Sequence, residues 1–171
     1  MQRPEPTEYA PFYGTYITLV PEGDVLAAME SQLTETLAFW RAIPESQGDV
    51  CHAPYTWTVK QVLGHLIDGE RIFGYRALRF ARGDSTPLPG FEENDYAKAG
   101  SYERLTVAAL VSEFEAVRRS SLWLFRNLPA EAWARSGKAN DSPVTVRALA
   151  YIVVGHVRHH GSILRKRLGA A

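Results

Sequence analysis

The amino-acid sequence predicts an all-α protein, a four-helix bundle. Two observations carry that expectation. Four long stretches repeat apolar residues at helical spacing, bounded by capping residues, glycines or prolines. Almost nowhere do apolar and polar residues alternate as they do in a half-buried strand. With 171 residues the chain has the length of one domain and can bury roughly 70% of its unfolded surface, so 1–171 is expected to fold as a single unit.

Residues 1–22 hold prolines and the aromatics Tyr9, Phe12, Tyr13 and Tyr16 without clear periodicity, an irregular lead expected to lay its rings on the body. A first helix follows Gly23-Asp24, carries Val25, Met29, Leu33, Leu37 and Trp40 at helical spacing, and stops before Pro44. The second starts at Thr58, where Thr58-Val59-Lys60-Gln61 has the form of a capping box, and runs to about 81. Its core stripe is Val59, Val62, Leu63, Leu66, Phe73, Ala77 and Phe80, and Arg82-Gly83-Asp84 ends it. Residues 85 to about 103 form a connection with no periodicity of its own, of a length that often covers a functional site.

A third helix spans about 106–128, with Leu110, Phe114, Val117, Leu122, Leu124 and Phe125 apolar. Pro129 ends it, and 129–133 can add a short helical turn. The fourth starts near Thr145, after Asp141-Ser142-Pro143, and continues to about 168. Four such helices give a bundle. Thr58 to Leu63 and Thr145 to Ala150 also echo each other, both opening helices that then carry histidines.

Charge and composition narrow the function. Nineteen basic residues balance nineteen acidic ones, which argues against a nucleic-acid binder or a membrane-surface binder. The single cysteine, Cys51, excludes an internal disulfide and every Cys-rich zinc site, and it suits a reducing cytoplasm. Its neighbour His52 does not make it a nucleophile, since adjacent residues rarely have the required geometry. The first six residues contain acid and proline where a signal peptide needs an apolar core, and the longest apolar run, 148–154, is too short to cross a bilayer. A soluble cytoplasmic protein is expected.

The chemistry-bearing residues are histidines. His156 and His160 stand one turn apart and share a side with Leu149, Ile152, Val153, Ile163 and Leu164, while Arg147, Arg158 and Arg165 fall opposite, toward solvent. His65 lies at the edge of the second helix's stripe, beside Gln61, Asp68, Gly69 and Arg76. There Gly69 leaves space for the His65 ring, and Asp68 or Gln61 can hold its second nitrogen. Inward-facing histidines need partners, and three of them make an open metal site with His65, His156 and His160 as ligands. Neutral imidazoles suit zinc, nickel, copper or iron. His159 points about 60° from His156 and is the decoy; His52 is expected to be exposed.

Glutamate is missing from the run His156-Val157-Arg158-His159-His160, so the metallopeptidase motif does not apply. Glu92, Glu93 and Asp95 in the long connection could reach the open side of the metal. Arg76 and Arg79, with Arg118 and Arg119, could line a pocket for an anionic ligand, although solvated or salt-bridged roles fit most of them. Trp57, Trp123 and Trp133 are read as core and helix-end packing.

The chain resembles the DinB-like superfamily, which includes the YfiT-type metal-dependent hydrolases. The resemblance rests on Trp57-Thr58-Val59-Lys60-Gln61-Val62-Leu63-Gly64-His65-Leu66-Ile67-Asp68, on Leu88-Pro89-Gly90-Phe91, and on Gly155-His156 followed by His159-His160, and it covers essentially the whole chain. It implies a four-helix bundle of the DinB/YfiT-like type and a site of three histidines matching His65, His156 and His160. The better-understood relatives use their metal to activate a low-molecular-weight thiol, as bacillithiol S-transferases or mycothiol-dependent isomerases. A homodimer is expected on the resemblance alone. Close relatives often carry an acidic residue where Val157 stands, so no base role carries over to that position.

The expected function is therefore a metal-dependent enzyme acting on a small-molecule substrate. Zinc or nickel is the leading cofactor, with a low-molecular-weight thiol activated for S-transfer or a water for hydrolysis. The alternatives are a non-catalytic metal-binding stress-response or scaffold protein, and a bundle whose histidines are structural.

Overall fold

Each of the four long helices begins at a side chain that accepts a hydrogen bond from its first turn. A computed structural model describes residues 2–170. The single turns Pro6–Glu8 and Pro11–Tyr13 lead into α1 (Gly14–Ile17), which is followed by α2 (Val25–Arg41), the short α3 (Glu45–Gly48) and α4 (Val59–Ala81). Then come α5 (Glu93–Ala99), a turn at Tyr102–Arg104, α6 (Val107–Arg126), a turn at Ala130–Ala134, the strands β1 (Ser136–Ala139) and β2 (Ser142–Thr145), and α7 (Val146–Arg167).

Asp24 caps α2 through the Leu26 amide, Thr106 caps α6 through Ala109, and Thr145 caps α7 through Ala148. Thr58 makes the full box on α4, accepting from Gln61 N while Gln61 Oε1 accepts from Thr58 N at 2.9 Å. Each such cap contributes about 1 kcal/mol. The echo between Thr58 and Thr145 is thus an echo of caps. The stripes of α2, α4 and α6 meet as the sequence leads one to expect: α4 packs on α6 and α7, and α2 packs on the same two helices from the other side. Trp40 and Phe114 sit at the centre of the α2–α6 contact with ring centroids 4.6 Å apart, and both are fully buried.

Several expectations need correction. The fold is helical but not purely so, because β1 and β2 form a two-stranded antiparallel hairpin pairing Ser136 with Thr145. Four residues per strand are too few for alternation to register. The turn at Asn140-Asp141 carries the signal instead, both residues having positive φ (49° and 59°) as a two-residue hairpin turn requires. The connection 85–103 is also structured. Leu88 bonds to the hairpin through Lys138 O and the Asn140 amide, and α5 and the turn at Tyr102 fill the rest.

The fourth helix was expected to turn one side to water; instead its middle is buried all round, from Ala148 to Val157. The cause lies in the lead segment, where α1 packs across the back of α7. Gly155 permits that approach, since a Cβ there would come within 2.1 Å of the Tyr16 carbonyl oxygen. Arg147, placed toward solvent by its helical angle, pairs instead with Glu8 of the lead, and Arg158 and Arg165 are half-buried. Tyr16 and Ile17 are buried, whereas Phe12 is 64% exposed. Trp123 is no core residue, being 65% exposed on α6, while Trp133 does close a helix end by stacking on Phe125. Among the described residues no helix is long and apolar enough to cross a membrane.

Candidate metal centre

Packing of α4 on α7 brings His65 opposite the turn of α7 that carries His156 and His160. The three rings form a near-equilateral triangle with centroids 4.8, 4.9 and 4.8 Å apart. Nε2 of His65 faces Nε2 of His156 at 2.9 Å, and one nitrogen from each ring lies within 4.8 Å of the other two. His65 and His156 are buried and His160 is half-buried, so one side of the triangle is open.

Desolvation sets the protonation state. Burial pushes His65 down to about 4 and His160 down to about 3, the latter helped by the neighbouring His65 and His159 rings. His156 lies well below the ordinary imidazole value, chiefly through burial and then through its histidine neighbours and Arg118. Near neutral pH all three rings are uncharged, with lone pairs available.

This donor set fits a divalent cation. Zinc–nitrogen bonds of 2.0–2.1 Å in a tetrahedral site put ligand nitrogens about 3.3 Å apart, close to the spacing of the His65–His156 pair. Neutral nitrogen donors without a carboxylate suit zinc, nickel, copper or iron. Two facing Nε2 atoms can satisfy each other only by sharing one proton, whereas a cation would use all three lone pairs.

The surrounding residues hold the rings differently from what the sequence suggests. Gly69 makes room for His156 rather than His65: a Cβ would stand 2.9 Å from His156 Cε1. Neither Gln61 nor Asp68 reaches His65. Gln61 is committed to the capping box and to Ala97 O, and Asp68 accepts the Tyr102 hydroxyl. Trp57 lies against His65 instead, with centroids 4.8 Å apart, and Tyr16 and Phe73 flank His156. His159 packs on Tyr16 outside the triangle. His52, expected to be exposed, is half-buried beside Gln47 and is not part of the cluster.

A cavity of about 220 Å³ opens above the triangle, walled by Tyr13, Tyr16, Trp57, Phe73 and Phe91 and carrying Arg76, Glu93 and Asn140 as its other polar groups. Of the carboxylates proposed from the connection, only Glu93 reaches it. Glu92 caps α5, and Asp95 is exposed and does not line the cavity. Of the arginines, only Arg76 lines it, while Arg79 pairs with Asp84, Arg118 with Glu70 and Arg119 with Glu115. Burial with nearby Tyr13 and Glu93 pushes the Tyr16 phenol up to about 12, which keeps its hydroxyl a donor. Sequence reasoning did not single out Tyr16, Trp57, Phe73 or Asn140 as site residues. Trp57 directly precedes the capping box of the helix that carries His65, and that position was the signal available for it.

Beneath the triangle lies a second polar cluster. Arg118 of α6, with no exposed side-chain surface, forks onto both Glu70 oxygens at 2.8 Å and donates to Gln32 Oε1 at 2.7 Å. Gln32 in turn donates to Val154 O at 2.8 Å. The network ties α2, α4, α6 and α7 together two residues from His156.

The molecule is thus a helical bundle with a three-histidine cluster at the floor of a small aromatic cavity. The DinB superfamily profile matches residues 28–164, and the chain belongs to that superfamily. Its structure is similar to YfiT from Bacillus subtilis, described as a probable metal-dependent hydrolase with an unusual four-helix bundle topology. That match has a TM-score of 0.71 at 19% identity and covers 99% of this chain and 95% of YfiT. It is also similar to a mycothiol-dependent maleylpyruvate isomerase, with a TM-score of 0.72 at 15% identity, covering 92% of this chain and 64% of the isomerase. A point mutant of that isomerase matches with a TM-score of 0.71. At these identities the likeness is one of fold. No curated protein sequence matches the chain.

Proposed function

We propose that this DinB-superfamily chain is a metal-dependent enzyme in which His65, His156 and His160 hold one divalent cation, zinc or nickel. Its substrate would be a small molecule. A low-molecular-weight thiol would be activated for transfer to an electrophile, or a water for hydrolysis. The observation that carries the reading is the convergence of three neutral imidazoles at the floor of a cavity that opens on one side. The mycothiol dependence of the isomerase supports the thiol arm, and the hydrolase description of YfiT supports the water arm.

When bound, the cation lowers the pKa of a thiol or water at its open position. The chain's own residues do the rest. Trp57, Phe73 and Tyr16 wall the rings from bulk water and give an apolar body something to lie against. Tyr16 lines the cavity with its phenol kept protonated, and Glu93 is the carboxylate on its wall. Val157 is buried and inert, so the base cannot come from the peptidase position on α7.

The reaction is tested with monochlorobimane as electrophile and glutathione, bacillithiol or mycothiol as the thiol, alongside ester hydrolysis. A rate with one of these that is lost on chelation and in His156→Ala supports the enzyme. Metal binding without any metal-dependent rate would favour a non-catalytic metal-binding protein.

A further inference from the structure

We infer that Arg76 is the anion-recognition residue of this cavity, and that the molecule bound there carries an oxyanion, a carboxylate or a phosphate, at the end remote from the histidines. The inference deepens the proposed enzyme function and rests on it for the word substrate, but the anion site itself stands on separate observations.

Arg76 is 4% exposed and lines the cavity. Its one hydrogen bond runs from Nη2 to the carbonyl oxygen of Pro89 at 2.9 Å, and no carboxylate lies within ion-pair distance of it among the described residues. Contrast Arg118, equally buried, whose guanidinium is forked onto Glu70. A guanidinium has five N–H donors and cannot lose its charge in a protein, so a buried one with a single neutral acceptor is left incompletely compensated. Planar oxyanions match its fork, and a charge-assisted pair of that kind is stronger than a neutral hydrogen bond.

Placement along α4 sets the register. His65, Gly69, Phe73 and Arg76 follow one another on one face of the helix, and eleven residues of rise separate the Cα atoms of His65 and Arg76 by about 16 Å. Helical side chains lean toward the N-terminus, so Arg76 reaches back toward Phe73 and shortens that gap. The other wall at this end is the segment 88–90 pressed on the hairpin turn. A Cβ on Gly90 would come within 2.3 Å of Asn140 Oδ1, and Asn140 lines the cavity beside Arg76 with an amide to offer. A small molecule held by its oxyanion between Arg76 and Asn140 extends its other end toward the three imidazoles.

The competing role for Arg76 is a purely structural one, anchoring the Pro89 carbonyl. Calorimetry on the full chain separates the two, with succinate, methyl phosphate and the neutral diamide succinamide as probes. It is run at about pH 8, where the imidazoles are neutral, first on metal-free and then on zinc-loaded protein. Metal-free wild type is expected to bind one of the two anions at least about tenfold more tightly than succinamide, and Arg76→Gln to remove that advantage while Arg76→Lys keeps part of it. The preferred anion names the source of the oxyanion. If neither anion outcompetes succinamide, or if a folded Arg76→Gln binds the anion as wild type does, the inference is overturned. The wild-type comparison stands even if the variant does not fold. Failure of the metal reading shows separately, as zinc that does not bind while anion binding persists.

Discussion

Two buried polar clusters meet neighbouring turns of α7, and they are built on opposite principles. Around Arg118, the guanidinium, the Glu70 carboxylate and the Gln32 amide meet one another's needs entirely within the chain. Around His156, three like groups converge, and the hydrogen bond between His65 and His156 at 2.9 Å leaves His160 outside it. Burial costs each cluster heavily. The first recovers that cost at folding. On the proposed function, the second is completed by a cation from outside the chain. That difference separates a structural polar core from a candidate binding site more sharply than burial or charge alone.

Breaking the closed cluster should have the largest effect. Arg118→Met strands Glu70 without its counter-charge and is expected to cost about 3–5 kcal/mol in urea unfolding, while replacing both partners with apolar residues recovers much of that loss. A small effect of the single variant would remove the contrast at its structural end. For the open cluster, zinc at a hundredfold excess over its dissociation constant should stabilise wild type by about 2.7 kcal/mol, and should not stabilise His156→Ala.

Gly69 and Gly74, five residues apart on α4, face different surroundings. A Cβ at Gly69 meets the His156 ring, whereas one at Gly74 meets only Ser121 Oγ at an ordinary 3.7 Å. Gly69→Ala should therefore cost about 1–3 kcal/mol and weaken metal binding. Gly74→Ala should gain about 0.5–1 kcal/mol and leave the metal alone. Thermal melts and zinc titrations of the two variants side by side provide the check.

The metal-free protein should also show a pH slope. Folded His65 and His160 titrate at about 4 and about 3, below the 6.5 of a free histidine. Between those values the unfolded chain binds more protons than the folded one. The stability of the metal-free protein should be full above about pH 6.5 and fall as the pH drops toward 4, by at most about 1.4 kcal/mol per pH unit for each histidine. His160→Asn should remove its share of that slope. A flat profile in metal-free wild type would mean that the rings are not desolvated.

The sequence made the helices and the three histidines legible because both speak in local terms. Caps sit within three residues of what they cap, and His156 and His160 lie one turn apart on a single helix. His65 could be added because its stripe ran past it. What joins distant residues was hidden. Nothing near Gly155 announces that α1 will cover the back of α7, so Arg147 was assigned to solvent rather than to Glu8. The Arg118–Glu70–Gln32 network joins side chains of three helices to the backbone of a fourth, and of these side chains the sequence singles out Arg118 alone, as a pocket-lining or salt-bridged residue. Gly69 was recognised as making space but was credited to the histidine on its own helix, when the ring it admits comes from α7.

The central claim is that the triangle of imidazoles is completed from outside the chain. Elemental analysis of tag-free protein after metal loading and desalting tests it most directly, comparing wild type with His65→Ala, His156→Ala, His160→Ala and His159→Ala. About one divalent cation per chain is expected in wild type and in the His159 variant, and loss of it in the other three. Metal content that His156→Ala leaves unchanged, or that is negligible in wild type, would contradict it.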